Sequence, residues 1–113
     1  MIKKDRIILY KIIGYIDDIA TYNQGMDYDS FLLDKKTISA CAFTVSQIGE
    51  LVKELTEGLQ NKNTAIPWKS IRGMRNRIVH NYENIDLAVL WGTIEKSLPE
   101  LRKQLIELLD GSP

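Results

Sequence analysis

The sequence predicts an all-α fold, an antiparallel up-down four-helix bundle in which residues 1–113 form a single helical domain. Three observations support this class. Apolar residues recur at helical spacing in four segments, no segment alternates as a half-buried strand would, and only 7 glycines and 3 prolines interrupt the pattern. A chain of this length can bury a core without help from metals or disulfides.

The first helix is predicted over residues 5–23. Its apolar stripe consists of Leu9, Ile12, Ile13, Ile16, Ile19 and Ala20. Four further residues widen this stripe, namely Ile7, Ile8, Tyr10 and Tyr15. A helix that is apolar on more than one side is buried on more than one side. In so small a protein this width indicates a subunit interface, and we therefore expect a homodimer.

The second long helix is predicted over residues 35–59, after a connector with a short turn at residues 29–33. Its core stripe consists of Ile38, Cys41, Ala42, Val45, Ile48, Val52 and Leu55. Gly58 and the asparagine-rich stretch that follows it break the pattern. We expect the helix to end there.

The third helix is predicted from residue 67 or 68 to His80, with a core stripe of Trp68, Ile71, Met74 and Ile78. Asp86 is a suitable N-cap for the last helix. That helix carries Leu87, Trp91, Ile94, Leu98, Leu101, Leu105 and Leu108. Pro99 should kink this helix or restart it, because proline removes a helical hydrogen bond.

Composition limits the classes of function. Fifteen basic residues balance 15 acidic ones, so nucleic-acid binding would need a local basic patch. One cysteine and one histidine can form neither an internal disulfide nor a closed zinc site, and Cys41 lies on a core stripe where we expect it to be inert. Carboxylates alone can hold a metal, but no clustered acidic motif indicates such a site. We expect neither a metal nor a cofactor.

The amino terminus, "MIKKDRIILYKIIGYI", partly resembles a signal peptide because basic residues precede an apolar run. Lys11 interrupts that run, Asp17 and Asp18 follow it, and no small-residue cleavage site appears. The run is also too short to span a bilayer. We expect a cytoplasmic protein without a membrane segment.

Residues 73–86, "GMRNRIVHNYENID", contain the chain's single histidine. A helical wheel places Arg72, Asn76 and His80 four residues apart on one polar face. Arg75 lies near the edge of the core stripe, and Arg77 points away from the core. The segment therefore predicts a polar site on the third helix.

These residue types suit the cleavage of a phosphodiester. Histidine moves protons near neutral pH, and arginine binds a phosphate through two parallel hydrogen bonds. Asn76 can orient the imidazole of His80, because side chains four apart on a helix are neighbours. Together they suffice for metal-free cleavage beside a 2′-hydroxyl, which RNA has and DNA lacks.

The geometry of a single helix raises a difficulty. Arg75 and His80 are five residues apart and diverge by roughly 140° in a regular helix. Either the helix ends around Val79, or two copies of the chain pool their residues. A plainer interpretation is that the histidine complements the helix dipole and that the arginines and asparagines form a solvated face.

The arrangement of Arg75 and Asn76, then His80 and Tyr82, resembles the signature of HEPN domains: arginine, four residues, histidine. The tyrosine two residues after the histidine resembles the HepT-like toxins of two-gene toxin–antitoxin systems. The flanks "IPWKSIRGMRNRIVHNYENID", "LWGTIEKSLPELRKQL" and "SQIGELVKEL" are similar to the family's central, last and second helices. The resemblance covers residues 5–110, nearly the whole chain.

The resemblance implies a helical bundle that dimerises, with arginine and histidine from both subunits lining a shared cleft that cuts RNA without metal. His80 would be the acid or base, Arg75 the phosphate clamp and Asn76 the residue that orients them. A composite cleft would also resolve the divergence of Arg75 and His80. Whether the substrate is tRNA or mRNA stays open.

The resemblance also implies a partner, a minimal nucleotidyltransferase antitoxin that attaches AMP to the motif tyrosine, here Tyr82. A bulky, anionic adenylate near the cleft would block it and compete with RNA phosphate for Arg75. The alternative is that Tyr82 is a half-buried aromatic residue at a helix end.

Lys69, Arg72 and Arg77 can add contacts to the RNA backbone, or they can be ordinary solubility charges. Glu50 can be an interface residue or a solvated one. Two other functions stay open for the chain as a whole. One is a non-catalytic HEPN module that binds a nucleotide or a partner, and the other is a purely structural helical adaptor.

Overall fold

The computed structural model describes residues 1–81 and 84–111, which are mostly helical. The helices of this part of the chain are α1 (Lys3–Tyr22), α2 (Tyr28–Leu32), α3 (Lys35–Lys53), α4 (Glu57–Lys62), α5 (Trp68–Arg72), α6 (Met74–Ile78), α7 (Leu87–Gly92) and α8 (Leu98–Leu109). A π-helical turn, Thr93–Ser97, joins α7 to α8. Two short strands, β1 (Val79–Asn81) and β2 (Asn84–Ile85), pair antiparallel.

The core lies between the long helices. Helix α1 packs against α3 and α8, and α3 also contacts α5 and α6. One apolar cluster fills the space between them, and its fully buried members include Leu9, Ile12, Phe31, Val45, Ile48, Ile78, Leu90 and Leu105. The helical class agrees with the prediction, whereas the strand pair departs from it. The up-down four-helix arrangement and the dimer stay predictions.

Helix α1 is confirmed within two residues at either end. Its buried face consists of Asp5, Ile8, Leu9, Ile12, Ile13, Ile16 and Ile19. Ala20 is exposed, so its prediction as a core residue was wrong. Ile7 and Tyr10 are 46% and 56% exposed, so part of the wide stripe is left uncovered within the chain.

Two aspartates start the next helices. Asp27 accepts the Ser30 N–H at 2.8 Å while Ser30 Oγ accepts the Asp27 N–H at 3.0 Å, a reciprocal capping box for α2. Asp34 accepts the Thr37 N–H at 3.0 Å and caps α3. These backbone hydrogen bonds favour the ionised carboxylates and hold the pKa of both aspartates below the usual value.

The second predicted helix is two helices, because α3 ends at Lys53 and α4 starts after Thr56. The Thr56 hydroxyl accepts the Leu59 N–H at 3.3 Å and so caps α4. Buried Asp5 accepts the Thr56 N–H at 3.0 Å and its hydroxyl proton at 2.6 Å. The predicted end near residue 59 was therefore wrong, and Gly58 lies inside α4.

The third predicted helix is also divided. Helices α5 and α6 meet at Gly73, and the chain leaves the helix at Val79, whose φ of −109° and ψ of 103° are extended. Arg77 Nη1 donates to the Ser70 carbonyl at 2.9 Å. That carbonyl lies in the last turn of α5, where carbonyls lack helical partners. Because the helix ends at Ile78, the prediction that it continues to His80 was wrong.

The last segment starts as predicted. Asp86 caps α7 by accepting the Val89 N–H at 3.1 Å. The π-helical turn then precedes Pro99, which lies in the first turn of α8. Proline has no N–H to offer the carbonyl four residues earlier, and the wider turn accommodates this loss. Pro99 was predicted to kink the helix or to restart it; the backbone stays helical at Ser97 and Leu98, so the helix continues through a π-helical turn without a restart.

Trp68 and Cys41 lie in the core, as expected, and Trp91 is half-buried and packs against it. Trp68 is 6% exposed and its indole N–H donates to the Asn63 carbonyl at 3.1 Å. Trp91 packs on Phe31 with ring centroids 4.9 Å apart. Burial raises the pKa of the Cys41 thiol to about 11, so this thiol is protonated at neutral pH and is a poor nucleophile.

Within residues 1–81 and 84–111, none of the helices combines the length and the apolar character needed to cross a membrane. Over the same ranges, no three His, Cys, Asp or Glu side chains lie together in a way that could hold a metal ion.

We expect Asp5→Ala to lower the free energy of unfolding by about 1–3 kcal/mol, because it leaves the Thr56 N–H and hydroxyl without their acceptor. Urea unfolding followed by circular dichroism measures this. Asp17→Ala is the matched control. It removes an exposed ion pair with Arg102 (2.7 Å) and should cost at most about 1 kcal/mol. Equal costs for the two variants would contradict this role of Asp5.

Candidate functional site

The motif segment lies where α6 gives way to β1. Met74 and Ile78 bury one face of α6 in the core. Arg75 and Asn76 are exposed on the same helix. Within the described part of the chain, their side chains make no hydrogen bond or ion pair, so both are available to a ligand.

His80 lies on the strand and not on the helix. Val79 pairs with Ile85 and Asn81 pairs with Asn84, so two steps along β1 match one step along β2. His80 is therefore the extra residue of a β-bulge. Bulges re-aim a side chain and often lie next to active sites. The imidazole is exposed at this irregular position.

A short backbone hydrogen bond links the residues that come just before β1 and just after β2. The Asp86 N–H donates to the Ile78 carbonyl at 2.7 Å, joining the last residue of α6 to the cap of α7. Helix α6 ends at Ile78. An end of the helix near this point is one of the two ways in which the divergence of Arg75 and His80 on a straight helix could be avoided. Tyr82, the predicted modification site, lies outside the described residues.

The predicted polar face of Arg72, Asn76 and His80 does not exist in this form. Arg72 Nη1 donates to Gln60 Oε1 at 2.6 Å and so lies against α4. Asn76 is exposed on α6, and His80 has left the helix. The prediction that these three polar residues share one helical face was wrong, because the helix is interrupted at Gly73 and ends before Val79.

Arg75 lines a groove of about 440 Å³ between α3 and the strand pair. The other lining residues are Ser39, Ala42, Phe43, Ser46, Gln47, Glu50, Val79 and Ile85. We call this the Arg75 groove. Phe43 is 66% exposed, so an aromatic ring lies in the same groove as the motif arginine. His80 is not among the residues that line this groove.

Phe43 was not predicted as a site residue, although its place in the sequence pattern is unusual. Phe43 is a large apolar residue outside the core stripe of its helix, between buried Ala42 and buried Thr44. Glu50, whose role was left open, is exposed, lines the Arg75 groove and pairs with Lys53 at 3.0 Å.

A second groove, of about 830 Å³, lies on the other side of the motif segment, between α4 and α5. It brings together the three predicted backbone-contact residues, Lys69, Arg72 and Arg77. None of its lining residues lines the Arg75 groove. Arg75 and Arg77, two residues apart on α6, thus face different grooves.

Because Gly49 of α3 has no side chain, the end of α5 can approach α3 closely at this point. A Cβ built at Gly49 would lie 3.3 Å from the Ile71 carbonyl oxygen and 3.5 Å from that of Arg72. These two residues end α5, directly before the motif. The close approach therefore fixes where the segment that carries Arg75 starts.

An exposed arginine–histidine motif at a helix end, in a mostly helical chain, defines a small helical domain of the HEPN class. The family model described as "Ribonuclease HepT-like" matches residues 12–108, and the chain belongs to this family.

Named relatives cover nearly all of the chain. "Putative RNase MJ0127" of Methanocaldococcus jannaschii is 36% identical over 110 residues, which are 96% of this chain and 91% of that protein. "Putative RNase MJ0125" of the same organism is 33% identical over 96% of this chain and 95% of that protein. "Probable ribonuclease HepT" of Thermococcus cleftensis is 30% identical over 83% of this chain and 92% of that protein. No solved structure gives a significant match.

We expect Gly49→Ala to be less stable than Gly14→Ala, although both replace a helical glycine. At Gly14 nothing lies within 4 Å of the added Cβ, so alanine should stabilise by about 0.4–1 kcal/mol. At Gly49 the Ile71 carbonyl of α5 must shift by a few tenths of an ångström. Denaturant unfolding of both variants measures the difference, and an equal gain at both sites would contradict the close seating of α5.

Proposed function

We propose that this chain is the toxin of a toxin–antitoxin pair and acts in the cytoplasm as a metal-independent endoribonuclease. The observation that carries the proposal is the exposure of Arg75, Asn76 and His80 around the α6–β1 junction in a HepT-like family member. The ribonuclease names of its relatives support RNA as the substrate. Histidine and arginine supply proton transfer and charge stabilisation without a metal.

The reaction uses the 2′-hydroxyl of the RNA itself. This oxygen attacks the neighbouring phosphorus and forms a new P–O bond, while the bond to the 5′-oxygen breaks. His80 accepts the 2′-hydroxyl proton, and His80 of the partner subunit donates a proton to the departing 5′-oxygen. Arg75 neutralises charge on the non-bridging phosphate oxygens, and Asn76 orients the reacting groups. The products are a 2′,3′-cyclic phosphate and a 5′-hydroxyl.

A dimer supplies the second histidine. His80 does not line the Arg75 groove, and in the proposed dimer the second copy supplies an imidazole to it. We place the contact at the Arg75 groove, because it combines the motif arginine with exposed Phe43 and half-buried Val79 and Ile85. Burying such apolar surface stabilises an interface. Ile7 and Tyr10 on α1 offer a second exposed apolar surface.

Tyr82 is the proposed point of control by a minimal nucleotidyltransferase antitoxin. It follows His80 by two residues, so a group attached to its hydroxyl would lie close to the site. An AMP group there adds bulk and negative charge, which would exclude RNA and occupy Arg75.

We expect wild-type protein to cut total RNA in the presence of EDTA and to leave 2′,3′-cyclic phosphate ends. His80→Ala should lower the rate by about 10²–10⁴, the range for a general acid–base group. Arg75→Ala should lower it strongly as well, because the developing phosphate charge loses its partner. Electrophoresis of the RNA and end-group analysis measure both effects.

Lys35→Ala is the control for cleavage, since Lys35 is an exposed cation at the start of α3. Equal cleavage by wild type, His80→Ala and Arg75→Ala would contradict the assignment of these residues. A wild-type protein that binds RNA without cutting it would favour a non-catalytic binding module.

We expect Phe43→Asp to yield a monomer that does not cut RNA, because a charge would be buried at the proposed interface. Light scattering gives the oligomeric state. Mixed dimers of wild-type and His80→Ala protein should also cut far more slowly than wild type, since they contain only one of the two histidines that the mechanism uses. Leu33→Asp is the matched control, as Leu33 is 86% exposed outside both grooves. A dimeric, active Phe43→Asp protein would contradict this interface.

A further inference from the structure

The groove between α4 and α5 has a uniform charge. Its lining residues are Gln60, Asn61, Thr64, Ile66, Pro67, Trp68, Lys69, Ser70, Arg72, Gly73 and Arg77. Each charged residue in this set is basic, although the chain as a whole is neutral. The Arg75 groove, by contrast, carries Glu50. We call the first of these the basic groove, and its charge fits a polyanion.

The two arginines of the basic groove are held in place. Arg72 is fixed by its 2.6 Å hydrogen bond to Gln60, and Arg77 by its 2.9 Å hydrogen bond to the Ser70 carbonyl. Each guanidinium has five N–H donors, so further donors stay available to a phosphate. A fixed guanidinium loses less entropy on binding than a freely moving one. Lys69 is exposed and adds a mobile charge.

The uncharged part of the groove favours contact with the sugar–phosphate backbone over contact with bases. Gln60, Asn61, Thr64 and Ser70 present amides and hydroxyls, which commonly bind phosphate oxygens and sugars. Trp68 is 6% exposed and its indole N–H is already bonded, so its ring forms the floor of the groove. It is therefore not a stacking platform for bases.

The basic groove and the Arg75 groove are both lined by residues of α6, since Arg77 lines the first and Arg75 the second. We propose that the basic groove binds the sugar–phosphate backbone of RNA, without regard to sequence, and holds it against α6. This inference rests on the proposed ribonuclease function, because that function supplies RNA as the polyanion.

The test uses a fluorescein-labelled oligouridylate and His80→Ala protein, which should cut about 10²–10⁴-fold more slowly than wild type and so leave the probe intact during the measurement. Fluorescence anisotropy gives the Kd between about 0.05 and 0.3 M NaCl. Adding Lys69→Ala or Arg72→Ala should each weaken binding about fivefold at about 0.1 M salt. Each should also lower the slope of log K against log salt by about 0.7, the value for one phosphate contact on a single strand.

Two further variants separate this role from folding and from general charge. Arg72→Lys keeps the charge and should keep the salt slope, while its affinity falls because the fork of donors is lost. Lys35→Ala removes the same charge at the far end of α3, about 21 Å along the helix from Gly49, and should change neither quantity. Circular dichroism verifies that each variant is folded.

Unchanged affinity and slope in both Lys69→Ala and Arg72→Ala would overturn the inference, as would an equal loss in Lys35→Ala. Retention of RNA binding with loss of binding to an acidic protein partner would assign the groove to that partner and would also overturn it. Because binding is measured without cleavage, this result is independent of the cleavage test for His80 and Arg75.

Discussion

The hydrogen bond from the Asp86 N–H to the Ile78 carbonyl is the constraint on which the candidate site depends. It joins the end of α6 to the cap of α7, and the strands β1 and β2 lie between these two points in the sequence. Arg75 and Asn76 stay on the rigid side of this junction, and His80 lies on β1. The motif is thereby divided between a helix, which fixes direction, and a strand pair, which exposes the histidine.

The sequence predicted buried residues well wherever they recur at one regular helical spacing. Most of the predicted stripe residues of α1, α3 and α8 are buried, apart from exposed Ala20 and half-buried Leu108, and Asp86 caps its helix as predicted. The break after Lys53 was missed because Asp5, which holds the cap of α4, lies 51 residues away in sequence. The strand pair was missed because three residues are too few for alternation to show.

The same limits apply to the candidate site. Residue chemistry singled out Arg75, Asn76 and His80 as candidates, because only a few side chains move protons or bind phosphate. Their arrangement was not predictable, since it depends on interruptions of the helix at Gly73 and Val79 that local propensity does not specify. The helical wheel nevertheless showed that a straight helix would separate Arg75 from His80. The structure removes the premise of a straight helix, because α6 ends at Ile78. Completion of the site by a second copy stays a proposal.

The π-helical turn at Thr93–Ser97 has a consequence for the evolution of the chain. A π-turn corresponds to one extra residue within an α-helix. Deleting one residue there would restore regular α-helix, because the hydrogen bond that spans five residues in a π-turn spans four in an α-helix. The residues that follow would keep their direction, so Leu98, Leu101 and Leu105 would still face the core. A single-residue deletion should therefore be tolerated in this turn, whereas a deletion within α8 would rotate the residues beyond it by about 100°.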